Sequence, residues 1–471
     1  MLIARKEEQK ILMEAYKSEY SSFIAVYGRR RIGKTFLVRE TFNYNFTFSF
    51  SGIANEPKET QIKMFLKSIG KKGVSINEKC DNWLDAFGYL ETLIEQSKEK
   101  KKVIFLDEFS WMAATTKTSF ISALEYFWNS YASGRKDVLL IVSSSATSWL
   151  IDNVIHNKGG LYHRLTHTIE LKPFTLKECK EFSDNCSLHM NERDVLETYM
   201  VFGGVPYYWS LLKGEFSVAQ NVDNLIFSEK GELHNEFDYL YASLFKKPES
   251  YISIVNALGK KKMGLTREEI AALSNLANNG DLSKKLKELE EYGFIREYLP
   301  LKAKKKGSLF QLIDQYTLFY FHFLRKKPND EHFFENNFRT SQINSWKGGA
   351  FERVCLLHTE QMKKALGISG VSTNICSYSF TNQENHKGHQ IDLLIQRKDG
   401  VINLCEMKYG SKPYEIEKQE YEMYLARIDD FIKDVGSSYS IHFTLVTPYG
   451  LERNKYSNIV TNIITMEDLF L

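Results

Sequence analysis

The sequence predicts a multidomain α/β chain, and three stretches carry that prediction. They are an apolar run leading into a glycine-flanked basic loop near the N-terminus, a lysine-rich middle, and a C-terminal pair of strand-like runs bearing carboxylates. The 471 residues suggest about three domains at ~150 residues each. With 43% hydrophobic and 26% charged residues, there is material for real cores and too little charge for a disordered chain. No run approaches the ~18 apolar residues of a membrane span. The charged start, Met1 to Glu8, lacks the apolar core of a signal peptide. The six cysteines show no CxxC or zinc spacing and read as reduced thiols. A cytoplasmic protein with no membrane partner is expected.

Phe23 to Tyr27 is a short apolar run of strand composition. It leads into Gly28-Arg29-Arg30-Arg31-Ile32-Gly33-Lys34-Thr35, which fits G-x-x-x-x-G-K-[ST] at every fixed position. Such a loop turns backbone N–H groups inward around phosphate oxygens, and the following helix offers its positive end to the same anion. Gly28, Arg29, Arg31, Ile32, Gly33 and Phe36 are therefore candidates for the phosphate cradle. Lys34 reaches the β- and γ-phosphates, and the Thr35 hydroxyl holds Mg²⁺.

Val103 to Leu106 is apolar and ends in Asp107-Glu108, as suits a parallel strand buried on both faces. Asp107 is the expected second metal ligand and Glu108 the group that polarises an attacking water. Together the two motifs imply hydrolysis as well as binding. A third buried run, Val138 to Val142, ends in Ser143-Ser144-Ser145. These serines, with Ser144 the candidate, are either a γ-phosphate sensor or a plain serine-rich turn. Arg164 either neutralises charge on the transferred phosphoryl group or forms a surface ion pair.

Arg5-Lys6-Glu7-Glu8, GRRRIGKT at 28–35, FLDEF at 105–109 and GGLYHR at 159–164 together resemble the archaeal-type ATPases of the AAA+/STAND group. The resemblance implies a P-loop fold with a parallel sheet, ATP and Mg²⁺ as ligands, and nucleotide-dependent self-association. Phe202 to Tyr207 (FGGVPY) is similar to the signature of the helical lid in that group, where the proline packs near the base. Pro206 inherits that role by resemblance.

Residues 251–330 hold 15 Lys/Arg against 9 Asp/Glu, a net of +6, so the rest of the chain sums to −3. A local basic segment is the usual footprint of phosphate contacts. Three short helices are expected, the second opened by a capping box of Thr266 and Glu269, the third running from Asp281 to Tyr292 and stopped by Gly293. Strand-like runs at 294–298 and 309–312 flank a lysine-rich tip at 302–306. That order reads as a winged helix-turn-helix, with Lys284, Lys285 and Lys287 on the helix that would enter a DNA groove. A winged helix making only protein contacts is the other reading. The aromatic run at Phe319, Tyr320, Phe321 and Phe323 reads as helix core.

At the C-terminus, Asp392 starts one strand-like run, and Glu406 and Lys408 end the next. Residues two apart on a strand share a face, so Glu406 and Lys408 project together and Asp392 can meet them. Two carboxylates and a lysine so placed can hold Mg²⁺ or Mn²⁺ and a nucleophilic water. The D-x₁₃-E-x-K spacing resembles the PD-(D/E)xK nuclease core, with Glu352 matching its first-helix acid and Ile391 replacing the leading proline. The resemblance implies either metal-dependent DNA cleavage or a restriction-endonuclease-like fold kept as an inactive binding module. His386 and His389 read as polar loop residues. The expected domains are a P-loop ATPase core at 1–170, a helical lid at 171–245, a winged helix at 246–325 and a nuclease-like domain at 340–471.

Overall fold

The computed structural model describes residues 2–471 except 77–79, 114–116, 157–158, 162, 304–306, 326–329, 382–387 and 437, and only the backbone of 117, 118, 380, 381, 388 and 389. His386, the side chain of His389 and the tip lysines 304–306 therefore lie outside the described residues. The chain divides into two compact units, Met1–Pro173 and Phe174–Leu471.

The first unit is built on five parallel strands, β1 (Ser22–Tyr27), β2 (Phe48–Ser51), β3 (Lys102–Asp107), β4 (Val138–Ser144) and β5 (His167–Glu170), in the order β2-β3-β4-β1-β5. Successive residues point to opposite faces of a sheet, and both faces here are apolar. Phe23, Ile104, Leu106, Leu140 and Val142 enter one core. Ile24, Val26, Val103, Phe105, Leu139 and Ile141 enter the other. A near-continuous apolar run is what a sheet covered on both sides requires. Leu37 and Val38 of the helix Lys34–Thr41 join the second core. The helices Lys58–Gly70 and Trp83–Gln96 bury Phe65, Trp83 and Phe87 against the first. Asn82 caps the latter helix by accepting the Asp85 N–H.

The strand order places β4 between β1 and β3. At about 4.8 Å per strand, the loop after β1 and the acids after β3 stand roughly 10 Å apart, with the end of β4 between them.

In the second unit, the helices Pro248–Leu258, Arg267–Ser274 and Gly280–Glu291 precede an antiparallel ribbon of β6 (Ile295–Tyr298) and β7 (Leu309–Leu312). Thr266 and Glu269 form the reciprocal capping box expected of them. Gly293 has φ +72°, the left-handed conformation that lets the chain leave the third helix at low cost. A five-stranded sheet follows, from β8 (Thr373–Thr381), β9 (Gly388–Arg397), β10 (Val401–Met407), β11 (Ser440–Val446) and β12 (Asn462–Ile464), in the order β12-β11-β10-β9-β8. β8, β9 and β10 pair antiparallel, and β11 joins β10 in parallel through the crossover helix Lys418–Val435.

The stretches expected as three domains pack as one body in this unit. Phe319 and Phe323 lie 5.3 and 5.4 Å from Trp346, so the aromatic run is helix core as its spacing suggests. His358 accepts the Leu176 N–H at 3.0 Å, and burial pushes its pKa down to about 4, which keeps the ring neutral and able to accept. No helix among the described residues is long and apolar enough to cross a membrane.

Candidate functional site

The loop after β1 is fixed by two glycines for different reasons. At Gly28 a Cβ would lie 2.3 Å from the Leu171 carbonyl oxygen and 2.5 Å from Ile32 Cδ1, so no larger residue fits. At Gly33 the space is open, but φ is +86°. Gly33 is the N-cap of the helix Lys34–Thr41, and the first-turn amides there, Phe36's among them, have no partner inside the helix. Ile32 is buried in the core and the Phe36 ring is exposed, so each can serve a phosphate only through its backbone. Arg29 is buried, and Arg31 takes φ +72° in the turn.

Lys34 is buried, and its ammonium donates to the carbonyls of Gly28 and Arg29 at 2.9 and 3.0 Å. Burial pushes its pKa down to about 8, against the pull of Glu108 and Asp107. Nucleotide phosphates require the charged form, so affinity should fall as pH rises through that value. Above it, binding should take up a proton. Calorimetry at about pH 8.5 in two buffers of different ionisation enthalpy should detect the uptake, and Lys34→Arg, charged throughout, should show none.

The Thr35 hydroxyl lies 3.0 Å from each oxygen of the Asp107 carboxylate, which also accepts from Ser51 at 3.3 Å and from Ser143. Asp107 is buried, its carboxylate is held by hydroxyls, and the Lys34 ammonium close by feels its charge. A buried carboxylate held only by hydroxyls is a hard-oxygen site with charge to spare, which fits Mg²⁺. Thr35 and Asp107 would hold the ion, and the ion would draw charge from the β- and γ-phosphates.

Glu108 has φ +46°, an uncommon conformation for a side chain of this kind, and it ends β3 by turning the chain away. Its carboxylate accepts from the Ser145 hydroxyl at 2.7 Å and the Ser145 N–H at 3.2 Å. Ser144, the candidate among the three serines, meets neither acid's side chain. Its hydroxyl lies 2.9 Å from that of Ser110, on the other side of the strand. Alternation puts Ser143 and Ser145 on the face of the acids, and the two grip Asp107 and Glu108 respectively. The role given to Arg164 is likewise not brought into place within this unit. It is exposed in the turn before β5, and among the described residues its side chain meets none of these carboxylates. Pro206 opens the short helix Pro206–Ser210 of the second unit. Ser51 was missed in the sequence, and Ser145 stood there only as one of three serines, without its role as the partner of Glu108.

The second unit departs from expectation at its acids. Glu406 and Lys408 do meet, at 3.1 Å, and Arg427 takes the other Glu406 oxygen at 2.8 Å. Asp392 and Glu352 share a different cation: both contact the ammonium of Lys262, Asp392 at 2.9 Å. The β9–β10 ladder runs to Cys405 opposite Leu393, one residue short of Glu406 and Asp392. Continued by one residue, that register sets Glu406 opposite Asp392 on neighbouring strands, but their carboxylates engage different cations, Lys408 and Arg427 for Glu406 and Lys262 for Asp392. As arranged, the four residues do not fit a divalent cation. Among the described residues, the group of three ligand atoms within 4.8 Å of one another is Asp223, His332 and Glu335. There Asp223 accepts the N–H groups of Phe334 and Glu335 at 2.8 Å, and so caps the turn that follows.

The lysines of the helix Gly280–Glu291 are also engaged. Lys284 pairs with Glu288 at 3.9 Å, Lys287 with Glu291 at 3.3 Å, and Lys285 with Asp281. With Glu290, the helix carries four acids against three lysines. Lys302, the first residue of the lysine-rich tip, is 3.0 Å from Asp434.

Residues 2–212 match the family model for an ATPase domain predominantly from Archaea. That match supports ATP binding and hydrolysis. An uncharacterized protein of Methanocaldococcus jannaschii is 26% identical over 449 residues, covering 92% of this chain and 94% of its own length, so the similarity runs through both units. Among solved structures, a Walker-type ATPase of Pyrococcus abyssi is similar at 16% identity and TM-score 0.47, over 67% of this chain and 95% of that one. The ORC2 protein of Aeropyrum pernix, in ADPNP–ADP complexes, is similar at 14% identity and TM-score 0.42, over 67% and 91%.

Proposed function

We propose that this chain is an ATP-hydrolysing switch whose second unit contacts DNA under control of the nucleotide state. One observation carries the reading: Lys34 and Thr35, far in sequence from Asp107 and Glu108, stand with them at the C-terminal ends of the central parallel strands, with hydroxyls fixing both acids. The Gly33 helix start and Lys34 bind the phosphates. Thr35 and Asp107 hold the metal. Glu108, steadied by Ser145, accepts the proton of the attacking water. Pro206, inside the family-matched stretch, is assigned to the base of the nucleotide, and Arg164 to the transferred phosphoryl group in a nucleotide-dependent assembly.

The DNA contact is supported by the net charge of +6 over residues 251–330. The pairing of the lysines on the helix Gly280–Glu291 favours a second reading, a regulator that binds protein rather than nucleic acid. Cleavage finds no support in the charge clusters as they stand.

ATP hydrolysis with and without duplex DNA separates the readings, with supercoiled DNA and Mn²⁺ in a parallel reaction beside Lys408→Ala. Hydrolysis stimulated by DNA supports the DNA-contacting switch. Hydrolysis indifferent to DNA, with no DNA retained, supports the protein-binding regulator. Cleavage lost in Lys408→Ala restores the nuclease.

A further inference from the structure

Lys262 lies in the turn Gly259–Gly264, between the helices Pro248–Leu258 and Arg267–Ser274. Its ammonium bridges two carboxylates from other elements, Glu352 on the helix Ser341–Leu357 and Asp392 on β9. The turn is held in place from several sides. The Lys262 carbonyl accepts from Gln311 at 2.8 Å and from the buried guanidinium of Arg353. The Met263 carbonyl accepts from the Tyr298 hydroxyl, which itself receives a hydrogen bond from Ser377 on β8 at 3.2 Å. Gly264 has φ +96° and sits so close to β7 that a Cβ would lie 2.3 Å from the Phe310 carbonyl. So the ribbon, the helix and the second sheet all fix where Lys262 reaches.

Both acids are largely buried, with side-chain exposures of 16% and 23%. Two carboxylates so placed repel each other unless a cation stands between them. The Lys262 ammonium bridges them with no fixed coordination geometry, beside the buried Arg353 guanidinium, which also feels both charges, and Gln390, which donates to Asp392. A divalent ion entering the same gap would meet that ammonium at a few ångströms and be repelled.

We infer that Lys262 is the resident cation of the Glu352–Asp392 pair and closes it to divalent metals, which enter only when the 259–264 turn is withdrawn. This rests on reading the pair as a cation site and not on ATP hydrolysis or DNA contact, so it stands or falls separately from them. The residues that resemble a nuclease constellation would then be in a closed arrangement rather than lost.

The test is Mn²⁺ binding by the full chain, read from the free-ion paramagnetic resonance signal, in an Asp107→Asn background that removes the first unit's own ligand. Lys262→Met should gain one Mn²⁺ site at least about tenfold tighter than the parent. Lys262→Arg keeps the blocking charge and should gain none. Adding Asp392→Asn to Lys262→Met should abolish the gain. Should Lys262→Met be poorly folded without metal, Mn²⁺ should raise its melting temperature and leave that of Lys262→Arg unchanged. Equal Mn²⁺ affinity in the parent and Lys262→Met, with no Mn²⁺-dependent shift in melting, overturns the inference. So does a parent that already binds Mn²⁺ tightly through Asp392.

Discussion

Glu108→Gln should lower single-turnover ATP hydrolysis by ~10²–10⁴, the range spanned by loss of a positioned general base, while leaving MgATP bound. The amide keeps the shape and can still receive the Ser145 hydrogen bonds at its carbonyl oxygen, so the loop geometry survives. What it loses is the ability to take a proton. Rapid-quench hydrolysis of enzyme-bound ATP, with bound nucleotide counted by filter retention, separates the two effects. A variant that neither binds nor hydrolyses would instead place Glu108 in the structure of the loop, where its φ of +46° makes the backbone sensitive to change.

The second large effect concerns stability. Glu197 and Lys347 are each 4% exposed and pair at 2.9 Å, joining the helix Glu192–Phe202 to the helix Ser341–Leu357. The Tyr409 hydroxyl donates to Glu197 at 2.6 Å, and Arg193 lies 3.1 Å from it. Burial pushes the Glu197 carboxyl up, yet Lys347, Tyr409 and Arg193 together hold it below its ordinary value, so it is charged at neutral pH. Lys347→Met leaves that charge buried with its main partner gone. The expected cost to the second unit is about 3 kcal/mol, the lower end for breaking a buried pair, because Arg193 and Tyr409 remain. Denaturant unfolding should show it, and Glu197→Gln added to Lys347→Met should recover most of the loss. An unchanged midpoint would mean that the pair contributes nothing net.

The nucleotide site was legible because its chemistry is local in sequence. A cradle that needs glycine at 28 and 33 and a lysine directly before a hydroxyl leaves a spaced pattern that few other demands produce. The buried strands were legible for a similar reason, since covering both faces makes the whole run apolar. What stayed hidden depends on side-chain direction. Ser144 and Ser145 are equivalent as letters, and only the strand's alternation decides that Ser145 holds Glu108 while Ser144 turns to Ser110.

The second unit shows the same limit at longer range. The helices and ribbon of 248–312 could be read from caps and periodicity. The destination of Lys262 could not, because its partners are 90 and 130 residues further along the chain. The expected meeting of Asp392 with Glu406 followed from strand period alone. The register does carry Glu406 opposite Asp392, but Arg427 and Lys262, neither of them in the motif, engage the two carboxylates. Likewise the lysines at 284, 285 and 287 look basic until their helical neighbours four residues away are counted.

The account's central claim is that Lys34, Thr35, Asp107 and Glu108 form a working hydrolytic site, and steady-state ATP turnover by the purified chain with Mg²⁺ tests it most directly, beside Lys34→Ala. The account predicts turnover that stops on metal chelation and is absent in the variant. Turnover that persists in Lys34→Ala, or a wild-type chain that binds MgATP and never releases ADP and phosphate under any condition, would contradict it.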